Sequence, residues 1–145
     1  MQIFTIGFTK TSAEYFFEAL KTNGIEQLID VRLNNSSQLA GYSKKEDLEY
    51  FLKVICNATY KHETLLAPTQ LMLDDFKKYR GPWSTYKRRY LELLDHREVE
   101  TKLNLEMFER PTVLLCSEEN AEQCHRSLVI EYLNAKWGNV EAKHL

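Results

Sequence analysis

The 145-residue chain is poor in the residues that interrupt or staple a fold, with five glycines, three prolines and three cysteines. Such sparse glycine and proline exclude a collagen-like or low-complexity chain. No Pro/Gly-rich linker, repeat or shift in composition marks a boundary, so one domain over residues 1–145 is expected. No apolar run approaches the roughly 20 residues of a membrane helix. The first residues, Met1 to Gly7, lack the basic opening and long apolar stretch of a signal peptide and read as a strand. A cytoplasmic location without a membrane partner is therefore expected. Cys56, Cys116 and Cys124 cannot all pair within one chain and read as reduced thiols. Their spacing is not that of a zinc ribbon or finger, and His62 or His144 would complete a ligand set only if the fold cooperated, so no metal is expected. GxGxxG and Walker-type patterns are missing, which excludes nucleotide cradles of those kinds and leaves no cofactor expected. A net charge of only −2 excludes the chain as a whole from polyanion binding.

What is present is an ordinary globular composition, 43% hydrophobic and 28% charged. Apolar runs and helical periodicities alternate along it. Ile3–Gly7 reads as a short buried strand. Thr11 with Glu14 reads as a capping box opening a helix with Phe16, Phe17 and Leu20 inward, stopped at Asn23-Gly24. Gln27–Val31 is a second strand. Ser43 with Glu46 forms another capping box ahead of Leu48, Phe51, Leu52 and Ile55. Ala58–Glu63 is a third strand. A helical insertion then spans about 69–108, broken at Gly81-Pro82. Thr112–Cys116 is a fourth strand, a helix opened by Asn120 and Gln123 runs to Trp137, and Val140–Leu145 is the last strand. This order implies an α/β, Rossmann-like architecture: a largely parallel sheet with helices on both faces and a helical insertion.

Ligands of such sheets bind beyond the carboxyl ends of the strands, and those ends collect ionisable residues here. Gly7 and Thr9 follow the first strand, and Asp30 and Arg32 close the second on one face. His62 ends the third, Cys116 and Glu118 end the fourth, and His144 lies near the end of the last. Arg126 begins the apolar stripe of the last helix with Ile130, Leu133 and Trp137. A permanent cation there requires a partner, either Asp30 or Glu118 of the chain or a bound anion. Cys116, between a strand and a helix start, reads either as an activated thiol or as a buried small hydrophobe. Cys124, with Leu128 and Ala135, reads as core.

Several of these residues together resemble the domain-of-unknown-function family DUF488. They are Thr5-Ile6-Gly7, Asp30-Val31-Arg32 with Ser37, Tyr60 with His62, Cys116-x-Glu118 with Cys124-His125-Arg126, and His144. The resemblance implies a small α/β domain with a shared polar site that includes His125, and it implies no reaction. Phe8, Asn34-Asn35 and Leu65-Leu66-Ala67-Pro68 depart from the pattern.

Three functions stay open at this level, and with them the question whether the protein is an enzyme. The first is a pocket that binds or acts on a phosphate-bearing ligand such as a nucleotide or nucleic acid. In it Arg32 and Arg126 are donors, Glu118 or His62 the acid–base group, and Cys116 the nucleophile. The ten residues from Cys116 to Arg126 are too many for the phosphate loop of cysteine phosphatases. The second is a nucleic-acid-binding module using the segment 77–90, which carries six basic residues and no acidic one. Lys87, Arg88 and Arg89 would contact the backbone, while Trp83, Tyr86, Tyr90 and Leu94 fall on one helical face and read as core. The third is a scaffold or partner-binding domain. Oligomeric state is not encoded in any of these patterns.

Overall fold

The computed structural model describes residues 1–36, 41–118 and 121–145. Strands β1 (Gln2–Gly7), β2 (Gln27–Asp30), β3 (Thr59–His62), β4 (Thr112–Cys116) and β5 (Glu141–His144) form one wholly parallel sheet in the order β3-β2-β4-β1-β5. Burial explains the order. β2 and β4 are buried at every position and β1 at all but its first, so these apolar runs need cover on both faces and occupy the centre. β3 and β5 alternate or carry charge, which suits edges open to water.

Side chains alternate across the sheet, and two cores result. On one face Phe4, Ile6, Leu28, Val113 and Leu115 meet Phe16, Phe17 and Leu20 of α1 (Ala13–Thr22) and Leu48 of α2 (Lys45–Phe51). On the other, Ile3, Ile29, Leu114 and Cys116 meet the insertion and the last helix. The insertion comprises α3 (Gln70–Leu73), a π-helical turn Asp74–Lys78, α4 (Trp83–His96) and α5 (Val99–Lys102). Tyr86, Tyr90 and Leu94 of α4 pack as the expected inward stripe. Of α6 (His125–Trp137), Arg126, Ile130 and Leu133 are buried, again as the spacing predicts. The connections leaving β2 and β4, neighbours in the sheet, part to opposite faces and open a crevice between them.

Helix starts differ from expectation. The cap of α1 is Ser12, whose hydroxyl accepts from the Tyr15 N–H at 3.1 Å, whereas Thr11 donates to the Thr9 carbonyl instead. α2 begins after Lys44 without a side-chain cap. Ser43 is buried in the preceding 3-10 turn, and its carbonyl accepts from Arg32. α6 begins at His125, capped by Cys124 in extended conformation, because residues 121–124 form a turn closed from the Cys124 N–H to the Ala121 carbonyl. Asn120, expected in that cap, and Ser37 lie outside the described residues. Among the described residues no helix is long and apolar enough to cross a membrane.

Candidate functional site

Strand register brings the expected residues to one edge and separates one of them. Gly7 pairs with Cys116, and Asp30 lies level with Leu115 on one side and His62 on the other. His144 stops opposite Thr5, two residues short of the end, where its Nδ1 meets the Thr5 hydroxyl at 2.5 Å. Burial first, and then the Arg126 charge, hold that imidazole below its ordinary pKa.

Gly7 and Thr9 serve the loop after β4. The Thr9 hydroxyl and N–H both donate to the Ser117 carbonyl, at 2.6 and 3.0 Å. A Cβ on Gly7 would overlap the Glu118 carbonyl and the Arg126 guanidinium, so only glycine permits their approach. Arg126, 1% exposed, donates from Nη1 to that Glu118 carbonyl at 2.5 Å. It therefore braces the loop from beneath, through the main chain of Glu118.

Asp30 and Arg32 form a closed pair, 0% and 3% exposed. Arg32 donates from Nε and Nη2 to the two carboxylate oxygens at 2.8 and 2.7 Å and from Nη2 to the Ser43 carbonyl at 2.7 Å. The Tyr60 hydroxyl donates to Asp30 at 2.6 Å. Burial, with this bond to a carboxylate, raises the phenol's pKa. His62 faces the Arg32 carbonyl at 2.6 Å and Asn35 at 3.2 Å. Phe8, the first departure from the DUF488 pattern, is buried with the Arg32 guanidinium 5.1 Å from its ring. Arg32 Nη1 is buried and has no hydrogen-bond partner among the described residues.

Beside this network lies a cleft of about 190 Å³. Arg32, Cys116, Glu118 and His125 line it, joined by Lys77, Tyr86, Gln123 and Cys124, with Asn34, Pro68 and Phe76 on its walls. His62, Asp30, Arg126, Gly7 and Thr9 do not line it. At its floor Cys116 Sγ is 3.4 Å from His125 Nδ1, while His125 Nε2 donates to the Val31 carbonyl at 2.8 Å. That second bond commits Nε2 as a donor and leaves Nδ1 to share a proton with the thiol. Burial pushes the Cys116 thiol up, but the Cys124 S–H, His125 and the Arg126 guanidinium together hold it well below its usual range. Burial and the neighbouring sulfur push Cys124 well up. Burial disfavours the His125 imidazolium, yet the charge and hydrogen bond of Cys116 raise its pKa. The arrangement can hold a thiolate–imidazolium pair in a site walled partly by apolar side chains.

Glu118 is half-exposed and bonded to Lys77, which the π-helical turn carries over the end of β4. Burial acts to lower the pKa of Lys77, and the Glu118 bond and charge, together with Cys116 and Cys124, more than offset it. Lys77 and Cys124 were not legible as cleft residues: one sat in a basic run, the other in a helical stripe. Only the Cys124-His125-Arg126 cluster pointed to the second. For a metal, Cys116, Cys124 and His125 offer three donor atoms within 4.8 Å of one another. Neither His62 nor His144 joins them, since each is held elsewhere.

Of the basic side chains of segment 77–90, Lys77 lines the cleft and the others do not. Lys87 pairs with Glu131 at 3.2 Å and Arg89 with Asp75 at 2.6 Å, and Arg88 is exposed. Trp83 stacks on Tyr86, its ring centroid 5.4 Å away, and Tyr86 on the buried Tyr90. The loop 65–68 is bound to the same helix, with the Leu65 and Ala67 carbonyls accepting from Arg97 and the Leu66 carbonyl from Tyr90.

A doubly wound α/β protein with a cysteine–histidine cleft at its switch point is what fold and site define. The chain belongs to the family described as domain of unknown function DUF488, whose model matches residues 12–133. No curated protein and no solved structure matches it.

Proposed function

We propose that the cleft is a thiol-dependent site for a small anionic ligand, a phosphate-bearing one such as a nucleotide or a nucleic-acid end. The observation that carries this reading is the Cys116–His125 contact at the cleft floor, with the imidazole oriented by Val31. A nucleophilic cysteine needs a base within reach and a third group to orient that base. The Val31 carbonyl takes the orienting role. Lys77 and the spare Nη1 of Arg32 supply positive charge and a donor at the cleft wall. Glu118, through its bond to Lys77, sets how much of that charge a ligand meets. Asp30, Tyr60 and His62 hold Arg32 in place, and Gly7, Thr9 and Arg126 hold the loop that carries Glu118.

The test is alkylation of the native protein at neutral pH with inorganic phosphate as competitor. Cys116 should react before Cys56 and Cys124, and phosphate should slow it. Lys77→Ala should weaken the protection without removing the reactivity. A Cys116 that reacts only when the chain unfolds is a core thiol, and the site then has no nucleophile.

A further inference from the structure

We propose that Cys116 and Cys124 act as a reversible dithiol, in which Cys116 reduces a hydroperoxide entering the cleft and Cys124 resolves the product as an intramolecular disulfide. The inference rests on the nucleophilic reading of Cys116 and adds to it a substrate class and a second catalytic residue.

Geometry brings the two sulfurs together. Cys116 ends β4 and Cys124 precedes α6, yet both line the cleft, and their sulfur atoms and the His125 ring lie within 4.8 Å of one another. Cys56 is excluded, because it is half-buried on the α1 face, with Sγ 3.8 Å from the Phe17 carbonyl. A disulfide needs the sulfurs at about 2.05 Å. Cys124 lies outside the helix and strands that hold the rest of the site. Cys124 is extended, at φ −134° and ψ 140°, and ends the turn that precedes the helix. The two thiols also differ in the sense that makes Cys116 the one to attack first. The environment favours charge on Cys116 and keeps the proton on Cys124.

The steps balance. The Cys116 thiol gives its proton to His125 and attacks the distal peroxide oxygen. The S–O bond forms as the O–O bond breaks, and sulfur is oxidised to the sulfenic acid. The leaving alkoxide takes the proton from His125, which gives the alcohol. Cys124 then attacks the sulfenic sulfur, the S–S bond forms, and the hydroxyl leaves with the Cys124 proton as water. A dithiol reductant restores both thiols by exchange.

The experiment treats the reduced full-length protein with one equivalent of hydrogen peroxide at neutral pH and maps the cysteines by peptide mass spectrometry. The expected product is a Cys116–Cys124 linked peptide, lost on adding dithiothreitol. In Cys124→Ser a sulfenic acid should remain on Cys116 and be trapped by dimedone. In Cys116→Ser the oxidation of Cys124 should slow by about a hundredfold, because the first attacking thiol is gone and burial still disfavours a Cys124 thiolate. Oxidation first at Cys56, or over-oxidised Cys116 beside a free Cys124 in the parent protein, would overturn the proposal. So would one tightly held zinc per chain that shields both thiols. Rapid alkylation of Cys116 without any crosslink would remove the dithiol and leave the nucleophile. Failure of both would remove the two readings together.

Discussion

Two polar clusters share the carboxyl edge of this sheet, and they differ in whether their groups are spent. Around Asp30 nearly every polar atom is used within the chain: Arg32, Tyr60, Ser43, Asn35 and His62 satisfy one another. Around Cys116 the partners are a proton-sharing imidazole and a second thiol, facing open space. The segment after β2 serves both, with the Val31 carbonyl accepting from His125 and the Arg32 carbonyl facing His62. Buried ionisable groups at strand ends are thus of two kinds. One set holds the backbone in place and, among the described residues, spares only Arg32 Nη1, and the other is available to a ligand.

The largest effect should come from breaking the closed cluster. Asp30→Ala leaves the Arg32 charge buried without its carboxylate, and should cost about 3–5 kcal/mol in urea unfolding. Cys116→Ser, in the open cluster, should cost no more than about 2 kcal/mol, since His125 remains to accept the hydroxyl. It should nevertheless abolish the fast thiol reaction. If the two substitutions cost the same, the division between the clusters is wrong.

His125→Gln sharpens the contrast. It removes the imidazolium beside the thiol and should slow alkylation of Cys116 at neutral pH by about tenfold, while the unfolding midpoint changes less than in Asp30→Ala.

The open cluster should also shape stability against pH. Cys116 is depressed below its ordinary 9.0 and His125 raised above its ordinary 6.5. Between those values the unfolded pair holds one proton, on the thiol. The Cys116 contribution to stability is lost as pH falls through its lowered folded pKa, and the His125 contribution is lost as pH rises through its raised one. Below about 6.5 the unfolded pair binds the extra proton and stability falls with pH. Above about 9 an unfolded Cys124 loses a proton that the folded one retains, and stability falls again. Urea midpoints from pH 5 to 10 would show stability falling toward both ends. In Cys116→Ser the depressed thiol's share is lost, so the acid side should flatten.

The smallest effect is expected far from the edge. Replacing Lys87, Arg88 and Arg89 together by Glu should leave Cys116 alkylation unchanged. A slowed thiol would tie the basic segment to the cleft.

Much of the scaffold was legible because burial dictates it. Thr112–Cys116 and Gln27–Val31 are too apolar for anything but central strands, and α4 and α6 carry their stripes at the expected positions. Caps were legible only to within a residue, since Thr11 and Ser12 have the same chemistry and tertiary contacts choose between them. The edge itself was foreseen, but not the side to which each residue turns. His62 reads like a cleft base and is bound to the Arg32 carbonyl; Arg126 reads like an anion donor and braces the Glu118 main chain. Lys77 lines the cleft from a π-helical turn, and no hydrophobic period records that.

The most direct measurement is the pH dependence of iodoacetamide alkylation of Cys116 in the native protein, read peptide by peptide. The rate should level off well below pH 9, and Cys116 should outpace the half-buried Cys56 at pH 7. A rate that climbs through pH 9 like a free thiol, or a Cys116 that reacts only after urea unfolds the chain, would contradict the account.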